Sequence, residues 1–331
     1  SVPLVAPSDI GDLVAAARSM RAQQEASAAT RSEVLFDVVR AYYEALSAQS
    51  ATQVAEASAE VARTLEDAIG RRKAAGTETQ IEVDRAKGDR IEAEGEVQAA
   101  HFVALRADLS LAHAACLPLE GLELAFPQRP SIPGASSEAR VDLARVGRPD
   151  IRAYEWASLA ARSAVHAEAL TLAPELQLGW RTRYRVYDPE DLGTPPHRWN
   201  VMVTLDWELP GFIEPAAEIA AARAEQRQAD LALQRVRRET ELDVRSAEIE
   251  LEAAQAAVVV ARERDAVAAA NLAAGMILYD QGMATGLEVS TLKAERDASA
   301  AELLGAELGR DLAEVDLLEE LGVDPLDVYA P

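Results

Sequence analysis

The chain has 331 residues, of which 49% are hydrophobic, 27% charged and only 5% aromatic, and its formal net charge is −23. Alanine makes up roughly a fifth of it, and an alanine-rich, charge-rich, aromatic-poor chain reads as long helices packed side by side rather than a globule around a bulky core. So acidic a chain lacks the cationic surplus that neutralises phosphates, which excludes nucleic acid as a partner.

The first predicted element runs from Pro7 to Ala74, without an internal proline and with only Gly11 and Gly70 as glycines. Around 65 residues at 1.5 Å each make a rod of about 100 Å. It breaks at Gly76-Thr-Glu-Thr. There a glycine can adopt the left-handed conformation that ends helices, and Thr79 can cap the next one. Glu82 follows in the first turn, where the helix dipole favours an acid. A shorter return helix spans about 80–116. Its neighbour Cys116, the single cysteine, has no partner for an internal disulfide, and apolar neighbours predict a buried small residue.

Pro118, Pro127, Pro130 and Pro133 mark a linker. Helices over about 137–146 and 150–172 follow, split near Gly147-Arg-Pro-Asp. The period then changes. Leu176, Leu178, Trp180, Thr182, Tyr184 and Val186 alternate with Gln177, Gly179, Arg181, Arg183 and Arg185. Val201, Val203, Leu205, Trp207 and Leu209 alternate with Met202, Thr204, Asp206 and Glu208. Period two predicts strands over 176–187 and 201–209, each with one apolar and one polar face. Taken alone, the pattern fits a hairpin lying on a soluble core. Between two helices of about 100 Å there is little such core, and aromatic-ended strands of about ten residues then fit a membrane β-barrel. Arg181, Arg183 and Arg185 would face the lumen and pair across the strands with Asp206 and Glu208.

The second long helix spans about 215–280, breaks at Gly282-Met-Ala-Thr and returns over 286–322. It repeats the first. With a shift of 206 positions, Gly76, Thr79, Glu82, Val83, Lys87 and Arg90 fall on Gly282, Thr285, Glu288, Val289, Lys293 and Arg296. Asp37-Val38 falls on Asp243-Val244, Leu111 on Leu317 and Cys116 on Gly322. Residues 8–117 and 214–323 are therefore two copies of one unit. The division is 1–117 for the first helical hairpin, 118–173 for the linker and short helices, 174–210 for the β-hairpin, 211–323 for the second helical hairpin and 324–331 for a tail.

Other chemistry is absent from the pattern. His101, His113, His166 and His197 are scattered, and no metal-ligand, nucleophile-triad or phosphate-loop spacing occurs. No enzyme activity, metal or cofactor is expected. The longest apolar stretch, about 253–261, is broken by Gln255 and is too short for a transmembrane helix. No signal peptide opens at Ser1, so a cytosolic, mature or truncated chain is expected.

The order of these features resembles the outer-membrane efflux protein family, the TolC-like channels. Arg148-Pro-Asp-Ile-Arg-Ala, Ala173-Pro-Glu-Leu-Gln-Leu, Asp206-Trp-Glu-Leu-Pro-Gly-Phe, Tyr279-Asp-Gln-Gly and Leu287-Glu-Val carry the resemblance, together with the duplication. It implies a mainly α fold: long antiparallel helical hairpins in a duplicated unit that contributes to an α-barrel, plus one β-hairpin for a β-barrel. It implies a homotrimer in the Gram-negative outer membrane, in contact with lipid and extending into the periplasm. There it would be the passive exit duct of a tripartite efflux pump or type I secretion system, with a periplasmic adaptor (membrane fusion) protein and an inner-membrane pump of RND or ABC type. Gly76, Thr77, Thr79, Gly282, Met283 and Thr285 would lie where the adaptor docks. Glu82, Tyr279 and Glu288 would belong to the periplasmic gate, with Ala284 where relatives have the lock's arginine. The −23 charge, tripled, would favour cations in the tunnel. One departure stands out: Ser1 corresponds to Trp207, so the stretch equivalent to 118–206, with the first β-hairpin of a full protomer, is missing in front of Ser1; either it belongs to residues preceding Ser1, the favoured reading, or this homologue lacks that hairpin. The alternative function is a soluble coiled-coil scaffold, for which the Trp-rich hairpin has no use.

Overall fold

The computed structural model of the chain describes residues 2–118, 124–125, 131–134, 136–184, 197–207 and 213–329. The elements, in order, are β1 (Val2–Val5), α1 (Pro7–Ala74), α2 (Gln80–Ala114), α3 (Ser137–Gly147), α4 (Pro149–Leu170), β2 (Glu175–Tyr184), β3 (His197–Asp206), α5 (Ile213–Asp280), α6 (Gly286–Glu320) and α7 (Pro325–Tyr329). α1 and α5 each hold 68 residues, and α2 and α6 each hold 35. A shift of 206 maps the bounds of α1 and α2 onto those of α5 and α6 at all four ends. The sequence repeat is thus a repeat of structure.

The helix ends explain the shared bounds. After α1, Gly76 (φ 78°) donates its N–H to Lys73 O and Thr77 donates to Arg72 O. After α5, Gly282 (φ 75°) donates to Tyr279 O and Met283 to Leu278 O. These paired bonds are the Schellman turn, which satisfies carbonyls that a helix end leaves open. The same pair closes α2 through Cys116 and Leu117, and α6 through Gly322 and Val323. Cys116 takes φ 54°, where its repeat partner Gly322 takes φ 67°. It is exposed, not buried as its neighbours predicted, because the left-handed turn lifts it off the helix.

Contacts divide the chain into two compact units, one of Ser1–Ala29 with Arg148–Thr240, the other of Thr30–Gly147 with Glu241–Pro331. This division cuts across α1 and α5, whereas the sequence divides the chain by repeat. In the first unit, α4 lies against the start of α1. A side chain on Gly11 would come within 2.7 Å of the Ala167 backbone, so only glycine allows that approach. Arg18 donates to Leu159 O at 3.1 Å and Ser163 at 2.5 Å, and Arg152 pairs with Glu25 at 2.9 Å. The same unit holds a three-stranded antiparallel sheet in the order β1-β2-β3. β1 was not foreseen, because four residues including a proline carry no alternation; pairing with β2 makes it a strand. β3 begins four residues before Val201, since its ladder with β2 runs to Tyr184↔His197.

In the second unit the two copies pack alike. Ala41, Ala45 and Leu111, with Val38 and Ala107 against them, form one cluster. Their equivalents 206 positions on, Ala247, Leu251, Leu317, Val244 and Ala313, form another, onto which α3 adds Val141 and Ala144. Small residues let the helix axes approach, and each buried leucine stabilises the seam by about 2 kcal/mol. A third cluster joins α1 to α6: Phe36 and Tyr43 meet Val315 and Leu318, with Val328 and Tyr329 of α7 packed on them. The C-terminal segment is therefore a short helix rather than a plain tail.

At Gly76 open space surrounds the position where a methyl would sit, so only its positive φ opposes substitution. Gly76→Ala should cost about 1 kcal/mol in thermal or denaturant unfolding of the detergent-solubilised protein. Cys116→Gly should stay within about 1 kcal/mol of the parent, as relief of strain offsets the entropy of a glycine. Cys116→Val should be the most damaging of the three.

Candidate functional site

The tips of the two helical hairpins carry the predicted docking and gate residues. Gly76, Thr77 and Thr79 lie in the first turn, and Gly282, Met283 and Thr285 in the second. All six are exposed. Thr79 (φ −91°, ψ 162°) caps α2 and Thr285 (φ −93°, ψ 159°) caps α6, each accepting from the amide three residues on. At Thr285 the box is complete: Glu288 accepts from the Thr285 amide at 2.8 Å and its hydroxyl at 3.1 Å. The Thr285 backbone bond, then its hydroxyl, holds the Glu288 carboxyl below the usual carboxylate range. Glu82, its equivalent, does not close such a box. It lies 3.6 Å from Arg85, with its other oxygen against Gly286 of α6.

The third predicted gate residue anchors a cluster that sequence reasoning missed. Tyr279 is 2% exposed. It packs with Leu65, Ile69, Ala86 and Val289, and Ala284 lies on the same cluster. Its hydroxyl donates to Glu78 at 3.3 Å, and the Arg72 guanidinium sits over its ring at 4.2 Å. Arg72 also pairs with Glu78 at 3.6 Å. Burial pushes the Tyr279 phenol above its ordinary value, and Arg72 opposes the shift. Position 284 is alanine, and the cation that meets Tyr279 is Arg72, at the end of α1. Arg72 and Glu78 flank the first break, but no local pattern reveals a partner about two hundred positions away.

The strand register overturns the expected cross-strand ion pairs. Asp206 lies opposite Glu175, Arg181 opposite Asn200 and Arg183 opposite Arg198. An antiparallel ladder couples residues whose numbers sum to 381, which the alternation alone does not fix. Arg185 and Glu208 lie outside the described residues. The apolar face does hold together: Leu176, Leu178, Trp180 and Thr182 lie opposite Leu205, Val203, Val201 and Trp199. It is open, with Trp180 72% and Leu205 64% exposed. A contiguous apolar face of this kind calls for lipid or another chain. Among the described residues, no helix is long and apolar enough to cross a membrane.

The pattern described as "Outer membrane efflux protein" matches residues 141–323. The chain belongs to this family. No curated protein matches it by sequence. Among solved structures, the outer membrane protein VceC of Vibrio cholerae superposes with a TM-score of 0.80 at 18% identity, over 96% of this chain and 76% of that one. The open-state MtrE outer membrane channel of Neisseria gonorrhoeae gives 0.80 at 19% identity, over 95% and 71%. A membrane protein from Pseudomonas aeruginosa gives 0.81 at 18%, over 95% and 74%. At such identities the likeness is one of fold: α-barrel channels with the same helical hairpins. Family membership makes the protein an outer-membrane efflux channel of a Gram-negative cell, extending into the periplasm.

The depressed Glu288 carboxyl contributes stability that is fully present above the ordinary glutamate pKa of about 4.3 and is lost as pH falls through its lower folded value. The difference in melting temperature between parent and Glu288→Ala should therefore stay constant from neutral pH down to that range. It should shrink below it.

Proposed function

We propose that the chain forms a homotrimeric exit duct of a tripartite efflux pump or type I secretion system. The observation that carries this reading is a seam filled once and open once. Within the chain, Phe36 and Tyr43 of α1 are buried against Val315 and Leu318 of α6. Their equivalents 206 positions away are Leu242 and Ile249 of α5, and Leu109 and Ala112 of α2. Leu242 and Ile249 are each 67% exposed and Leu109 is 50% exposed, while the small Ala112 is already buried within the chain. A copy set head to tail, α5 of one chain on α2 of the next, would cover both faces. Such a heterologous contact closes a ring, and three copies are what the family resemblance implies. The open apolar strand face is the part suited to lipid, which a soluble scaffold would not need. Arg181, Arg183, Arg185, Asp206 and Glu208 alternate with it and would line the lumen.

The tips are assigned the two periplasmic tasks. Gly76, Thr77, Thr79, Gly282, Met283 and Thr285 form exposed turns to which a periplasmic adaptor hairpin would dock, linking the duct to an inner-membrane pump of RND or ABC type. Glu82, Tyr279 and Glu288 would act at the gate, joined there by Arg72 and Glu78. The ion pair and ring contact of Arg72 hold the two hairpins together, and a cation over an aromatic face contributes about 0.5–1 kcal/mol. The inner-membrane partner would select the cargo.

Leu242→Glu combined with Ile249→Glu should convert the trimer to monomers in native mass measurements in detergent; persistence of the trimer would place the seam elsewhere. Arg72→Ala should leave the trimer intact and raise single-channel conductance in planar bilayers. Unchanged conductance would remove Arg72 from the gate.

A further inference from the structure

The two hairpin tips carry the same cap chemistry and use it differently. Thr79 and Thr285 have backbone angles within a few degrees of each other, and a glutamate stands three residues after each. Glu288 closes its box on the Thr285 amide. Glu82 leaves the Thr79 amide unbonded among the described residues. It reaches across to α6, where one carboxylate oxygen, Oε2, is shut off from solvent and within reach of no donor among the described residues. The notch that receives it exists because residue 286 is glycine. A Cβ there would lie 3.2 Å from Glu82 Oε2 and 3.2 Å from Ile69 Cδ1. Gly286 is buried, and its backbone is ordinary helix, so an added methyl is opposed by space and not by conformation: Glu82 and Ile69 would have to give way by a few tenths of an ångström.

We propose that Glu82 is a two-position switch: its carboxylate fills the notch over Gly286 while the two tips are together, and closes the capping box on Thr79 when they part. A buried acceptor without a donor is costly, and a completed box is favourable. The chain supplies the geometry of the second position in its own other copy. The notch position is therefore sustained by the packing around it, where Ile69 lines the notch and belongs to the same cluster as Tyr279. Loosening that packing releases the carboxylate to a site where it is satisfied, which favours the parted state. The switch is intrinsic to the tip; its consequence for transport rests on the reading of the tips as the gate.

The test uses the full channel in detergent and a double-variant cycle. Gly286→Ala fills the notch with one methyl at a position where alanine suits the helix. The Thr79 amide, followed by hydrogen exchange resolved to single residues, should then slow about fivefold, the equilibrium equivalent of one helix cap. In Gly286→Ala combined with Glu82→Ala that slowing should vanish. An unchanged Thr79 amide in the single variant overturns the switch. So does equal slowing in the double variant, which would mean the methyl acts through Ile69 alone. Single-channel recordings on the same proteins separate the two readings. Slowed exchange with more frequent opening supports both, and slowed exchange with unchanged conductance keeps the switch and removes the gate.

Discussion

Everything in the helical part depends on the close approach of two long helices along a seam of small residues. Ala41, Ala45 and Ala107 with Val38 and Leu111 do this in the first copy, and Ala247, Ala313, Val244, Leu251 and Leu317 do it in the second. Packing density falls steeply if either backbone is pushed away, so large side chains are confined to a few positions. Tip turns, caps and return helices inherit their places from this seam. It also explains the composition. Seams of alanine and single leucines leave little room for aromatics, and among the described residues Glu314 is the one acidic side chain that is buried.

A helix of this kind has more than one face to cover. The second face of α1 is filled by α6, where apolar contact is reinforced by charge. Arg40 meets Asp316 at 2.8 Å and also Glu319 and Asp37. Burial alone would lower the Arg40 guanidinium, but its hydrogen bonds to Asp316 and Glu319 hold it well above its ordinary value. Glu319 is pushed up by burial against the pull of Arg40. The repeat equivalents of Arg40, Asp316 and Glu319 are Ser246, Ser110 and His113. The seam between chains would therefore lack these ion pairs and rely on apolar contact. Duplication has therefore kept the positions of this seam in both copies while the ionic chemistry of Arg40, Asp316 and Glu319 occurs in only one of them.

The tips show the same divergence at smaller scale. Two turns with matching dihedrals end in a satisfied carboxylate on one side and an unsatisfied one on the other. Arg72, which lies where the other copy has Leu278, spans the gap to Tyr279. The polar contacts of Arg72, Glu78 and Tyr279 are thus drawn from both hairpins.

The local code determined a great deal. Glycine and threonine at 76, 79, 282 and 285 marked the breaks, because positive φ and a side-chain cap are properties of single residues. Period two marked β2 and β3, and the 206-residue shift announced the duplication. Contacts remote in sequence were decided only by the tertiary structure. The pairing of Arg72 with Tyr279, the pressing of Glu82 against Gly286, the strand status of Val2–Val5 and the opposition of Asp206 to Glu175 each need a partner far along the chain. Cys116 marks the boundary between the two. Its apolar neighbours indicated burial, but a left-handed turn set by the end of α2 put it in solvent. Sequence fixes which conformations each residue can adopt at low cost; only packing chooses which distant side chain it meets there.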